Sequence, residues 1–297
     1  MIFSIIIPTY NRFEEIKKCL IDFENQNFPQ KDYEIIIIDD GSTDKSFSKL
    51  NTLKNTLKNN IRIFKKKNRG PASARNFGIR IARGKYILFI DDDMYPSNNL
   101  LKEHQSFHKK YKNSAILGNI LWNPNLRVTP FMKYAALYGY QFAYRMIKDP
   151  LNLDYNLFYT SNISLERKWF NKDKFNERFR TPACEDGELA YRLQKKGLRI
   201  VFNKEAINYH SHFFSFYNFC ERQYRVGENL KILFNIHPEL QKNLDFYKNL
   251  SDHNFILFRI YARIISLFDV FGVSFPKKIY NPILNCYTYK GIKSKSF

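Results

Sequence analysis

Little in this sequence is acidic, rich in cysteine or continuously apolar, and each shortage narrows what the chain can be. Of 297 residues only 28 are Asp or Glu, against 48 Lys or Arg, a formal net charge of +20. Cysteine occurs four times, at Cys19, Cys184, Cys220 and Cys286, without a C-x-x-C pair. That pattern excludes a disulfide framework and a zinc knuckle, and leaves reduced thiols in a cytosolic compartment as the expectation. No uninterrupted apolar run reaches the roughly 18 residues that a spanning helix needs. The nearest approach, Phe255 to Val273, is broken by Arg259, Arg263 and Asp269. The opening run from Met1 to Pro8 is too short for a signal-peptide core and lacks a basic start, so secretion is not expected. There is no internal repeat, low-complexity tract or obvious linker. What is present is apolar mass, 44% hydrophobic and 17% aromatic residues, enough to offset the entropy of ordering. The length fits one large domain, or one domain with an appendage.

The positive charge is unevenly spread. Between Asp44 and Asp91 stand thirteen Lys or Arg and no acid, including Lys65-Lys66-Lys67-Asn68-Arg69. From His253 onward only Asp269 is acidic, against seven basic residues. Nucleic acid, an anionic membrane surface or a phosphorylated small molecule would each answer such charge, and so would plain solvation of a soluble surface.

Apolar periodicity alternates between strand and helix. Phe3–Ile7 predicts a strand, Glu14–Phe23 a helix, Ile35–Ile38 a strand buried on both faces, then a helix to about Leu57 with Ser42 or Thr43 as its N-cap. A strand at 61–64, a helix at 72–82 and a strand at 86–90 follow. This alternation predicts an α/β fold with an open, mostly parallel sheet flanked by helices. Beyond Lys112 the pattern loosens, with strands expected at 116–121, 161–165, 200–202 and 207–209, a helix at 185–196, and a mostly helical, aromatic-rich region from Phe213.

Polar clusters fall at the carboxyl ends of the predicted strands: Thr9-Tyr10-Asn11-Arg12, Asp39-Asp40 and Asp91-Asp92-Asp93. In an open parallel sheet those ends border one crevice, where ligands bind. Three adjacent carboxylates repel one another, so the triplet suits either a divalent cation sharing its shell with phosphate oxygens or a solvated acidic turn. Asn68 to Gly78 opens a helix with small residues, which serves either close approach of an anion to the helix terminus or tight helix packing; it is neither a dinucleotide nor a phosphate-loop signature. Glu185-Asp186 starts a helix whose dipole favours ionised carboxylates, suiting a base as well as simple charge complementarity. His210 and His212 are candidates to complete a metal shell begun by Asp91 and Asp93, or ordinary packed imidazoles. Arg222 and Arg225 suit a diphosphate or solvent.

Taken in order, Pro8-Thr9-Tyr10-Asn11-Arg12, Asp39 to Asp44, Asn68 to Gly78, Ile90 to Asp93, Ser161-Asn162-Ile163-Ser164, Cys184 to Leu193 and Tyr209-His210 resemble the inverting family 2 glycosyltransferases of GT-A fold. The resemblance covers roughly residues 1–212, and implies a glycosyltransferase domain there, with a nucleotide-sugar half (1–112) and an acceptor half (113–212), followed by a helical extension (213–297). It implies a nucleoside-diphosphate sugar, uridine diphosphate being the commonest carrier, across the crevice. Thr9, Tyr10, Arg12, Asp39, Asp40, Arg75, Asp91 and Asp92 would then face the nucleotide. Asp91, Asp93 and His210 would hold Mn²⁺ or Mg²⁺, Asp186 would be the general base, and Glu185 its catalytic neighbour. The acceptor implied is a hydroxyl of a glycan or lipid-linked glycan.

Two departures bear on this. The aspartate triplet is followed by Met94, so no fourth carboxylate extends it, and the Q-x-x-R-W signature of processive synthases is absent, Gln223 being followed by Tyr224-Arg225-Val226-Gly227. Transfer of one sugar or a few is the expectation. A nucleic-acid-binding protein explains the charge but not the carboxylates at strand ends; a nucleotidyltransferase explains the aspartates but gives Glu185-Asp186 no role. Cytoplasmic residence is expected, with the basic, apolar 255–273 segment lying against an anionic membrane surface.

Overall fold

The computed structural model describes residues 1–241 and 252–294. The chain begins with β1 (Phe3–Thr9), α1 (Phe13–Phe23), β2 (Tyr33–Asp39), α2 (Ser46–Lys54), β3 (Ile61–Lys65), α3 (Pro71–Ile81) and β4 (Tyr86–Phe89). It continues through β5 (Met94–Pro96), α4 (Leu100–Lys110), β6 (Ser114–Trp122), α5 (Pro130–Leu137), β7 (Ile163–Glu166), α6 (Glu185–Lys195) and β8 (Arg199–His210). It closes with α7 (Phe216–Ile236), α8 (Asp252–Val270) and α9 (Lys277–Lys293). The eight strands form one sheet in the order β3-β2-β1-β4-β7-β6-β8-β5.

The first half of the sheet follows directly from the sequence. β3, β2, β1 and β4 are mutually parallel, and every residue of β2 is buried, as four consecutive isoleucines require. α1 buries Ile16, Cys19, Leu20 and Phe23, one face at helical spacing. Gly78 lets α3 lie directly on β1, since a Cβ there would stand 2.6 Å from Ile6 Cγ2. One local expectation fails. Ser42 and Thr43 do not cap α2, which starts at Ser46; Asp39 Oδ1 accepts from the Ser42 amide (2.6 Å), Ser42 Oγ accepts from the Asn11 amide (2.9 Å), and Asn11 Oδ1 accepts from the Thr43 amide (2.9 Å). The loops after β1 and β2 are thereby stapled together, with Asn11 left-handed at φ 54°.

The second half could not be read so simply. β7 runs antiparallel to both β4 and β6, while β6 and β8 are parallel. β8 is one strand of 12 residues rather than two short ones, because a register shift at Gly118/Asn119 absorbs the polar stretch around Lys204 and Glu205. β5 is only three residues long and pairs antiparallel with the end of β8, setting Met94 opposite His210.

The chain divides into two compact units. One comprises 1–126, 146–180 and 185–212 and contains the sheet. The other comprises 127–145, 181–184 and 213–297, so residues from α5 and a short strip before α6 belong with the C-terminal helices. In that unit Phe131 packs on Phe216 (4.7 Å between centroids) and Phe219 (5.3 Å), and Tyr134 on Tyr280 (4.5 Å). α7 and α9 approach through Gly227 and Gly291, where an added Cβ would lie 2.0 Å from a facing carbonyl oxygen. Arg222 stacks over Phe219, 5.2 Å from its centroid.

Candidate active site

The carboxyl ends of β1, β2 and β4 carry the predicted polar clusters, and the sheet register makes them neighbours. Thr9 and Asp39 are opposite one another, and the Asp40 amide donates to the Thr9 carbonyl (2.8 Å). Asp39 Oδ1 is used by Ser42, whereas Oδ2 is buried and has no protein donor. Asp40 is otherwise engaged: Lys66 Nζ (2.5 Å) and the Gly70 amide (2.7 Å) donate to its carboxylate. Its role in this structure is to fix the loop that leads into α3. Gly70 is required there, with φ +85° and a Cβ position 2.2 Å from the Arg180 carbonyl oxygen. The glycines of Asn68 to Gly78 thus serve turn and packing, the plainer of the two readings, and the segment's chemical contribution is Arg75. Tyr10 is exposed, as a base-stacking ring would be.

Arg75 joins Asp91 to Glu185, which lies 110 residues from Arg75 along the chain. Buried on the inward face of α3, it donates through one NH₂ group to Glu185 Oε1 (2.9 Å) and through the other to Asp91 Oδ1 (3.0 Å). Ser161 Oγ donates to the other oxygen of Asp91 (2.5 Å). Asp91 is consequently clamped from both sides, and the first turn of α6 is tied to the end of β4. Asp186 follows directly, half-buried, its Oδ1 accepting from the Gly187 amide (2.8 Å). The helix terminus alone is expected to keep this carboxylate ionised at low pH; instead, burial, reinforced by Glu185 and only partly opposed by Arg75, pushes Asp186 up to about 7.

Asp92 and Asp93 face a second guanidinium. Arg12 pairs with Asp92 Oδ1 (3.0 Å) and with Asp93 Oδ2 (2.9 Å), and lies 3.4 Å from His212 Nδ1. Thr9 Oγ1 donates to Asp92 Oδ2 (2.8 Å). Burial, outweighing Arg12, pushes Asp92 up to about 8; for Asp93 the same burial is overcome by His210 and Arg12, which hold it below the usual carboxylate range. Thr9, Arg12 and Asp92 therefore form an interlocked group that fixes the β4 end.

His210 meets Asp93 because β5 pairs with β8. The Ser211 amide donates to the Asp93 carbonyl (3.1 Å), and His210 Nε2 stands 3.9 Å from Asp93 Oδ2. Trp122 covers the ring, 5.4 Å between centroids, and burial lowers the His210 pKa against the pull of Asp93, so the imidazole is neutral and able to ligate. An oxygen and a nitrogen 3.9 Å apart can both reach one ion at the ~2.1 Å typical of Mg²⁺ or Mn²⁺. No group of three or more His, Cys, Asp or Glu that could hold a metal converges among the described residues. Asp93 and His210 are thus the pair that could share an ion, although Arg12 holds the same Asp93 oxygen. Asp91, clamped by Arg75 and Ser161, sits at the edge of that group.

Ser161, Lys66 and Trp122 had no role that the sequence could assign. Ser161 stood within a recognised motif, and its carboxylate partner 70 residues away was the missing information. Arg12, expected to face the nucleotide, is seated on Asp92 and Asp93.

A sheet of this order, with carboxylates and the guanidinium groups of Arg75 and Arg12 at its strand ends, is of the GT-A class of sugar-transferring folds. Residues 4–179 match Glycosyl transferase family 2, and the chain belongs to that family. A poly(ribitol-phosphate) β-glucosyltransferase of Bacillus spizizenii is 42% identical over 118 residues, 39% of this chain and 19% of that protein. The chain thus spans about a fifth of the length of such curated relatives. Among solved structures, residues 1–349 of Staphylococcus aureus TarS bound to UDP-GlcNAc superpose with a TM-score of 0.59 at 18% identity, covering 98% of this chain and 90% of that one. The mannosyltransferase PcManGT of Pyrobaculum calidifontis, bound to GDP-Man and Mn²⁺, gives 0.63 at 16% identity, covering 97% and 84%. These likenesses concern the fold.

Proposed function

We propose that the protein is an inverting, non-processive glycosyltransferase that moves a sugar from a nucleoside-diphosphate sugar, UDP-linked, to a hydroxyl of a glycan or lipid-linked glycan. The observation that carries this reading is the Asp91–Arg75–Glu185 link, which puts a carboxylate of raised pKa, Asp186, beside the strand-end aspartates. The names of two relatives, a poly(ribitol-phosphate) β-glucosyltransferase and the β-N-acetylglucosaminyltransferase TarS, support a polymer acceptor and a β-linked product. The UDP-GlcNAc complex of TarS supports a uridine nucleotide.

In this mechanism Asp39 lies on the base side, Tyr10 stacks on the base, and Asp91 faces the ribose, oriented by Arg75 and Ser161. Ionised Asp186 takes the proton of the acceptor hydroxyl. The freed oxygen pair forms the bond to the anomeric carbon from the face opposite the nucleotide, and the bond to the diphosphate oxygen breaks with its electrons leaving on the nucleotide. Asp186 then returns the proton to water. Asp93 and His210, with Asp91 at the edge, would hold Mn²⁺ or Mg²⁺, which supplies charge stabilisation to the departing diphosphate. Residues 1–112 would provide the donor half and 113–212 the acceptor half. The reaction belongs in the cytoplasm, where nucleotide sugars are made.

A thermal-shift series of nucleotide sugars, with and without Mn²⁺, tests the reading. A cognate donor at about 100 times its Kd should stabilise the fold by roughly 2.7 kcal/mol, a rise of several degrees in Tm. Asp93→Ala should abolish the Mn²⁺-dependent part of that rise. Indifference to every UDP- and GDP-sugar would end the proposal.

A further inference from the structure

Large exposed apolar side chains are not scattered over this protein. Among the described residues nineteen are exposed, and ten of them fall between Ile256 and Val273, on α8 and the turn that follows. Ile256, Ile260, Ile264, Leu267 and Phe271 recur at steps of four, four, three and four, which is one line along a helix. Ile256 is 69% exposed, Leu267 61% and Phe271 76%. The opposite face of α8 is the buried one, with Ala262, Ile265 and Asp269. This helix therefore has two apolar faces, and only one of them is used within its unit. Leaving so long a stripe in water is unfavourable for a monomer, so the stripe marks a contact surface.

The charges beside the stripe identify the occupant. Arg259 and Arg263 lie along one edge, both exposed; Arg259 donates to Tyr217, and the Arg263 guanidinium sits 5.2 Å from the Tyr217 ring centroid. Lys277 and Lys278 follow at the start of α9, also exposed. From Phe255 to Ser294 the single acid is Asp269, and it is fully buried, accepting from the Phe131 amide (2.7 Å). The surface around the stripe is thus apolar in the middle and cationic along the α8 and α9 rim, with Glu221 of α7 the acid near Arg259. A second copy of the chain would bring arginine rim against arginine rim, whereas an anionic lipid surface offers acyl chains to the stripe and phosphates to the rim. Among the described residues no helix is long and apolar enough to cross a bilayer, so the geometry is that of a helix lying in the interface.

We propose that α8 docks the protein on an anionic membrane, burying the Ile256–Phe271 line among the acyl chains while Arg259, Arg263 and the α9 lysines meet phosphate headgroups. This docking is a property of the helical unit. It stands whether or not the chemistry assigned to the sheet is correct.

Flotation of the full chain with vesicles tests it. With equal parts phosphatidylglycerol and phosphatidylcholine at low salt the protein should float, and with phosphatidylcholine alone it should largely remain below. Arg259→Gln with Arg263→Gln should weaken partition to the anionic vesicles by roughly 30-fold. Leu267→Ser with Phe271→Ser should release the protein to the soluble fraction although its net charge is unchanged. Ile260→Trp supplies a second measurement: the emission of the new indole should shift to the blue on vesicles and be quenched by brominated acyl chains. Four results would overturn the proposal: no flotation at low salt, undiminished flotation of the Leu267→Ser, Phe271→Ser variant, an Ile260→Trp variant whose emission brominated lipid leaves unquenched, or a dimer of the wild-type chain that the double serine substitution converts to monomer.

Discussion

Asp186 is a carboxylic acid whose surroundings, burial first and Glu185 second, move it to about 7, where a general base works best near neutral pH. The sign of the resulting pH dependence is fixed: the ionised form accepts the proton, so kcat/KM should rise through pH 7 and be lost as the solution is acidified. A rate flat from about pH 5 to 8 would contradict the assignment. Asp186→Asn should retain donor binding while turnover falls roughly 10²- to 10⁴-fold, read by isothermal titration beside initial rates. Ser161 acts at one remove, through Asp91. Ser161→Ala should raise the donor Kd roughly tenfold, a charge-assisted hydrogen bond being removed, and leave the apparent pKa of turnover where it was.

Between β7 and α4 runs a buried polar chain that couples elements rather than ligands. His104 contacts Asn162 Oδ1 through Nε2 (2.9 Å) and Ser164 Oγ through Nδ1 (2.8 Å), and His108 Nε2 meets the same hydroxyl (2.7 Å). Asn162 continues the chain to the Ala206 carbonyl (2.9 Å), which fastens α4, β7 and β8 behind Ser161. Burial pushes His104 down to about 4 and His108 in the same direction. An unfolded chain takes up these protons near pH 6.5 and the folded one does not, so the contribution of the two histidines is constant above that pH and declines between 6.5 and about 4, while the raised carboxyls of Asp92 and Asp186 act in the opposite sense. His104 alone accounts for about 3 kcal/mol over that window. Urea unfolding at a series of pH values checks this, and His104→Gln should show a shallower acid slope than the wild type. A second expectation at this scale concerns α3: Gly78→Val must lift the helix from Ile6 and should cost about 1–3 kcal/mol.

For the whole molecule the charge of +20 finds a partial internal answer. Cations of the acid-free 45–90 segment reach inward, Arg62 to Glu34 (2.8 Å), Lys66 to Asp40, and Arg75 to Asp91 and Glu185, so that segment is in part the counter-charge of the site itself. The division into units has a consequence for truncation. A chain ending after His212 keeps Phe131 and Tyr134 but loses Phe216, Phe219 and Tyr280, against which they pack. Such a chain should bind a hydrophobic dye strongly and precipitate on heating, whereas the full chain should not. A soluble, cooperative 1–212 fragment would show that α5 needs no partner from the C-terminal helices.

The alternation of strands and helices through Phe89, the burial of Ile35 to Ile38 and the presence of carboxylates at strand ends were all legible in the sequence, because periodicity, propensity and turn chemistry are local. The joining of Asp93 to His210 was expected from the family resemblance, not from any local pattern. It depends on the three-residue β5 pairing in one register with the end of β8, a contact between segments more than a hundred residues apart that no short window encodes. The same holds for Arg75 between Asp91 and Glu185, for Arg12 on Asp92 and Asp93, and for the membership of residues 127–145 in the helical unit. Sequence alone determined which chemical groups are available at the strand ends; the tertiary structure decided which of them touch, because register and packing, unlike propensity, are settled only when distant segments meet.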